Sequence, residues 1–153
     1  MDFRFYLDRS FKRRLDAATR AFPGEIQSAV KRATVFVFER VREKTPVSYG
    51  NLKKSISANV SRFRGVVSPT VKYGSFVHEG TRPHWVPKKE WADPSGSIYL
   101  WAKRKGLNPY LVARAISRKG TKKQPWMHET FSTYERYVKN FFEDAVNGAL
   151  TKF

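Results

Sequence analysis

Five residues fix the first long element of this chain. Ile26, Val30, Ala33, Val37 and Val41 recur at intervals of three and four, the spacing that lines up side chains on one face of an α-helix. Glu25 lies in the first turn, and Arg40, Arg42 and Lys44 lie in the last, which suits the helix dipole at both ends. Pro46 must stop it, because the residue before a proline resists helical geometry. A helix from about Gly24 to Lys44 spans roughly 30 Å, enough to cross a small sheet. Phe36 and Phe38 fall off the stripe, so the helix is either buried on two sides or offers its second side to another subunit.

The next stretch reads as a sheet. Ser48-Tyr49-Gly50-Asn51 is turn-like, with Gly50 free to take positive φ. Ile56, Ala58 and Val60 then alternate with Ser57, Asn59 and Ser61, giving one apolar and one polar face. Arg64-Gly65 is the expected hairpin turn, with a return strand through Val66-Val67 and Thr70–Tyr73. Pro69 confines that strand to an edge or bulge. Phe76 and Val77 extend the apolar pattern to Gly80.

From Thr81 to Pro94 the chain carries Pro83, Trp85, Pro87, Trp91 and Pro94, a long loop with aromatic anchors. Ser95 or Ser97 can cap a short helix bearing Ile98, Trp101 and Ala102, closed by Gly106. Asn108-Pro109 opens another, with cap and first-turn proline in order. Its apolar face is expected at Leu111, Val112, Ala115 and Ile116, and its end at Gly120. Met127, Phe131, Tyr134, Val138, Phe141, Ala145 and Ala149 stripe a last helix from about His128 to Leu150. At the other end, Phe3, Phe5 and Leu7 alternate as in a short strand, and a basic helical turn runs on to Arg20. The order of elements predicts an α+β protein. Its long N-terminal helix packs on a small mostly antiparallel sheet, with further helices in the C-terminal half. One domain over residues 1–153 is expected, with 81–95 as its mobile loop.

Composition narrows the function. Thirty Lys and Arg stand against 13 Asp and Glu, a net charge of +17, so nucleic acid or an acidic protein surface is the natural partner. There is no cysteine, which excludes disulfides, thiolate metal sites and cysteine nucleophiles. No apolar run approaches a membrane span, and no signal-peptide core opens the chain. The reading is a soluble protein made and kept inside a cell unless exported within something larger.

Catalytic chemistry finds little support. His78, Glu79 and His84 form the one compact set of metal-ligating types, but H-E-x-x-x-x-H lacks the spacing that sets two histidines on one helical face. Gly80 and Pro83 also oppose a helix there. No G-x-S-x-G elbow or acid pair is present. No catalytic residue, metal ligand or cofactor is therefore assigned, although a histidine-centred hydrolase remains a third reading. The helix pair within Ser97–Lys119 has the outline of a helix-turn-helix, but such pairs are usually packing units.

Three motifs in order carry a family resemblance. They are Thr45-Pro46-Val47-Ser48-Tyr49-Gly50-Asn51-Leu52-Lys53-Lys54-Ser55-Ile56, then Val71-Lys72-Tyr73-Gly74-Ser75-Phe76-Val77-His78-Glu79-Gly80-Thr81-Arg82-Pro83-His84, and Lys119-Gly120-Thr121 with Pro125-Trp126-Met127. Together they resemble the tail-completion or head–tail joining proteins of long-tailed phages, minor tail protein Z-like. Ser48-Tyr49 stands where that family has Asp-Thr, and Glu79 shifts its acid by one place. The resemblance implies a virion structural protein at the head–tail junction, made in the host cytoplasm and acting as a hexameric ring. Its partners would be further copies of itself, the head connector and tail tube proteins, with non-specific DNA contact and no membrane. Phe36, Phe38, Tyr49, Arg82, His84, Trp85 and Trp91 are the candidate interface. The alternative is a basic nucleic-acid-binding module.

Overall fold

The computed structural model describes residues 9–47 and 50–151. The expected strand at Phe3–Leu7 and the side chain of Tyr49 lie outside them. The described chain forms two compact units. One holds the residues up to Val71 together with those from Trp126 onward, and the other is Lys72–Pro125.

In the first unit, α1 (Arg9–Ala21) is followed almost at once by α2 (Pro23–Lys44). Pro23 does not end the first helix so much as begin the second. It sits in the first turn of α2, where the missing N–H costs nothing and the fixed φ is already helical. The stripe of α2 is buried as expected: Ile26, Val30, Ala33, Val37 and Val41, joined by Ala29 and Thr34. Thr45 closes the helix in extended geometry, ahead of Pro46. Its hydroxyl donates to the Val41 carbonyl at 2.6 Å.

Gly50 has φ 77° and leads into a single turn, α3 (Asn51–Lys54). Strands β1 (Ile56–Ser61) and β2 (Arg64–Pro69) then form a two-stranded antiparallel hairpin, with Ile56 opposite Pro69 and Ser61 opposite Arg64. The turn is Arg62-Phe63, not Arg64-Gly65 as the sequence suggested. Gly65 lies within β2 for a different reason. A β-carbon there would collide with the Thr34 side chain of α2, so glycine lets strand and helix approach closely. The return strand ends at Pro69, and the chain beyond it is not strand.

The last helix, α8 (Trp126–Leu150), completes this unit. It packs along α2, as do both strands. Met127, Val138, Ala145 and Ala149 of its predicted stripe are buried, with Phe131, Tyr134 and Phe141 half-buried. Ala18, Ile26, Ala29, Ala145 and Val146 form a cluster capped by Leu15 and Phe142, which ties α1 to the α2–α8 pair. The fold is thus mostly helical, with the hairpin as its whole sheet among the described residues.

The second unit contains four helices. Tyr73–Glu79, read from sequence as strand, is helix α4. Its apolar residues Tyr73, Phe76 and Val77 fit spacings of three and four as well as they fit alternation, an ambiguity inherent in short apolar runs. Three more helices come after it: α5 (Lys88–Trp91), α6 (Ser97–Arg104) and α7 (Pro109–Lys119), which pack on one another. Asn108 caps α7 by accepting from the Tyr110 N–H at 2.9 Å. Gly106 and Gly120 take positive φ where the sequence placed the helix ends. The face of α7 is turned from the one expected. Ala113 is buried and Val112 and Ile116 half-buried, whereas Leu111 and Ala115 are exposed. No helix among the described residues is long and apolar enough to cross a membrane.

Candidate functional site

The segment Gly80–Trp85 and the segment Gly120–Thr121, forty residues on, meet in the second unit. Thr81 and Thr121 form an isolated antiparallel bridge, each N–H donating to the other's carbonyl at 3.2 Å. Their hydroxyls lie 3.0 Å apart, and the Gln124 N–H reaches the Val77 carbonyl at 3.2 Å. Gly80 and Gly120 flank the bridge with φ of 75° and 72°. A β-carbon on Gly120 would run into the Thr81 carbonyl, and one on Gly80 into that of Thr121. Each glycine is therefore required twice, by its backbone angle and by the approach of the opposite strand. Both segments stand out as sequence motifs, but nothing local in either pairs them. The one shared signal is the Gly-Thr repeated in two otherwise unlike segments.

The bridge anchors the start of the tryptophan-rich loop. Beyond it, Arg82 and His84 are exposed, and His84 Nδ1 lies 2.9 Å from the Arg82 carbonyl oxygen. Trp85 is 76% exposed, the most open large apolar side chain described. Trp91 is half-buried and packs edge-on against Tyr110, with ring centroids 5.3 Å apart. Of the loop residues expected at an interface, Arg82, His84 and Trp85 are thus free to meet another molecule, while Trp91 is largely engaged within its own unit.

Phe36 and Phe38 part ways. The Phe36 ring lies 5.5 Å from Tyr134, 5.6 Å from Phe141 and 6.1 Å from Tyr137. Arg40 sits over the rings of Phe36 and Tyr134, and Arg32 over Phe141, in cation–π geometry. The second side of α2 is therefore covered by α8 of the same chain. Phe38 is half-buried beneath Arg42.

His78 is buried in α4 while Glu79 and His84 are exposed, so the three do not converge. Among the described residues no group of three His, Cys, Asp or Glu is placed to hold a metal ion. What the molecule presents is surface: an aromatic loop on a stitched base, an exposed strand edge at β1, and a dense basic charge.

The first unit is a pair of long helices, α2 and α8, with the hairpin packed on α2, and its distinctive motifs serve turns and packing. Residues 9–80 match the family model "Bacteriophage HK97-gp10, putative tail-component", so a little under half of the chain is similar to this family of phage tail components. The family is a structural one, which implies a non-enzymatic role. The match takes in the first motif and most of the second. Arg82–His84 and the Gly120-Thr121 motif lie beyond it. No curated protein and no solved structure matches the chain.

Proposed function

We propose that this protein completes the phage tail or joins it to the head connector, acting by assembly into a ring and docking onto its neighbours. The family match over residues 9–80 carries this reading. The exposed surfaces supply its physical means. A closed ring needs two different patches on each subunit. The loop at Arg82, His84 and Trp85 is one candidate, since an exposed tryptophan is a typical interface anchor. The edge of β1 is another. Ala58, Asn59, Val60 and Ser61 are exposed, and the strand carries neither charge nor proline, the usual guards against edge pairing. Tail symmetry makes six copies the expected number, with the connector and tube proteins above and below.

The test is to purify virions and free tails and to blot both for the protein. Presence at the head end of the tail, near a multiple of six copies, is the expected result. Absence from particles overturns the reading and turns attention to DNA. A nucleic-acid-binding module would then show affinity falling steeply with salt.

A further inference from the structure

The Thr81–Thr121 bridge does more than anchor a loop, because it brings Arg82 beside the run Lys119-Gly120-Thr121-Lys122-Lys123. A β-carbon on Gly120 would meet the backbone of Arg82, and one on Gly80 the backbone of Lys122 and Lys123. The two segments are therefore in contact on both sides of the bridge. Arg82, Lys119, Lys122 and Lys123 are all exposed, and among the described residues none of the four forms an ion pair. Glu79 is the nearest carboxylate in sequence to the bridge, and it too is exposed and outside any such pair. Cations gathered this way repel one another, and an anionic partner would relieve the repulsion.

The make-up of the patch points to the kind of anion. From residue 94 to residue 128 the sequence has eight Lys or Arg and no Asp or Glu. Residues 117–124, Ser-Arg-Lys-Gly-Thr-Lys-Lys-Gln, carry no apolar side chain. A protein partner would require an apolar centre from which charges are depleted. Nucleic acid is met instead by a polar, strongly basic surface, where hydroxyls share the phosphates with Lys and Arg. The exposed Thr121 supplies such a hydroxyl, 3.0 Å from that of Thr81. A second copy of this chain carries the same net charge of +17 and is a poor counterpart.

We infer that the surface around the bridge, Arg82 with Lys119, Lys122 and Lys123, binds the phosphate backbone of duplex nucleic acid without reading its sequence. The bridge and its two positive-φ glycines fix the cations' backbone before the ligand arrives, so less ordering is left to be done on binding. This goes beyond the ring reading and does not rest on it.

The experiment titrates the full chain with a mixed-sequence DNA duplex of about 20 base pairs, from about 50 to 200 mM salt. A polyglutamate of equal charge is the second probe. Lys119→Ala, Lys122→Ala and Lys123→Ala together should lower duplex affinity at least about tenfold, and should make the plot of log affinity against log salt shallower by about two to three. The three lysines are exposed, so this variant should melt like the parent. Arginine at the same three positions should keep the affinity within about twofold. Removing Lys12, Lys31 and Lys54, exposed lysines of the first unit, makes the same change in net charge and should alter the slope by less than about one. Gly120→Ala keeps every charge but displaces the pairing, and should weaken the duplex about threefold or more. An equal loss in the first-unit variant overturns the inference, since charge would then act wherever it lies. Polyglutamate binding as tightly as the duplex, through the same three lysines, overturns it in favour of an acidic protein. So does the absence of duplex binding at about 50 mM salt, or an affinity that Gly120→Ala leaves unchanged. Arg82 is kept throughout because the ring reading also uses it, and no readout involves particles. Absence from virions would therefore sink the tail reading and leave this result standing.

Discussion

The two units spend their apolar residues in opposite ways. In the first, the long helices bury most of theirs: Ile26, Val30, Val37, Val41, Met127, Val138 and Val146 all lie in its interior, while Val35, Val60, Phe63 and Tyr137 stay exposed. In the second, Val86, Ala102 and Ala113 are the buried apolar residues described, while Tyr73, Phe76, Trp85, Leu100, Leu107, Tyr110 and Leu111 remain substantially exposed. Charge divides the same way. Between Lys72 and Pro125 there are twelve Lys or Arg and three acids. One unit is built to hold a fold and the other to present a surface. The difference has a geometric source. Helices of 22 and 25 residues can cover one another over several turns, whereas helices of four to eleven residues offer too little face to bury both sides of their neighbours.

The largest expected effect breaks the first unit. Val41 is fully buried, and Val41→Asp would place a carboxylate where no partner can reach it. The penalty should be about 5 kcal/mol or more, comparable with the whole stability of a small domain. Circular dichroism should show loss of the cooperative melt. Leu111→Ser in the second unit, by contrast, should move the midpoint hardly at all. A mild effect of Val41→Asp would mean that the α2 core is not what holds the protein together.

A smaller effect tests the aromatic seam. Phe36→Ala removes the ring on which Tyr134, Tyr137 and Phe141 converge. Since Phe36 is half-buried, the cost should be about 2 kcal/mol, below that of a fully buried phenylalanine. Denaturant unfolding of the isolated protein measures it. A loss confined to assembly, with monomer stability intact, would make Phe36 an interface residue and not a seam residue.

These cases show which features are legible in sequence. The α2 stripe is, because five residues at one period admit one structure. The stripe of α8 is legible for the same reason. The hairpin is legible, but its turn falls two residues ahead of the place the sequence suggests. Arg62-Phe63 has none of the usual turn chemistry, no non-glycine residue among those described has positive φ, and Gly65 looks like a turn residue when it is a packing residue. Tyr73–Glu79 misleads because seven residues are too few to separate a period of two from one of 3.6. The exposed face of α7 is hidden because Leu111 and Ala115 fit a helical stripe, and a stripe by itself does not say whether anything faces it. The Thr81–Thr121 bridge is a long-range pairing, which local pattern cannot reveal.

That bridge gives the next prediction. Gly120→Ala puts a β-carbon at φ 72° and against the Thr81 carbonyl, so both backbones must shift. The cost should be about 1–3 kcal/mol. It should appear as faster hydrogen exchange at Thr81, Thr121 and Gln124, with the amides of α2 and α8 protected as before. Uniform loss of protection across α2 and α8 would show that the units unfold as one and would blunt the contrast between them.

The smallest effect is a proton. Asp93 accepts from the Ser95 N–H at 2.7 Å and from its hydroxyl at 2.6 Å. These bonds favour the carboxylate and hold its pKa below the ordinary aspartate value, against a small opposing effect of desolvation. A carboxyl group that is more acidic folded than unfolded stabilises its turn above the unfolded pKa. It loses that contribution as pH falls through the lowered folded value. The Ser95 amide resonance should therefore titrate at a more acidic midpoint than aspartate in an unfolded peptide, and Asp93→Asn should abolish the titration. Asp93 is exposed, so solvent screens the interaction and the main melting transition should not follow it. If the turn ahead of α6 loosens while the α2–α8 pair is indifferent, acid separates a surface that can rearrange locally from a core that cannot. If the main transition moves with the Ser95 titration, the turn supports more of the molecule than its exposure suggests, and the division between a holding unit and a presenting unit has to be redrawn at Asp93.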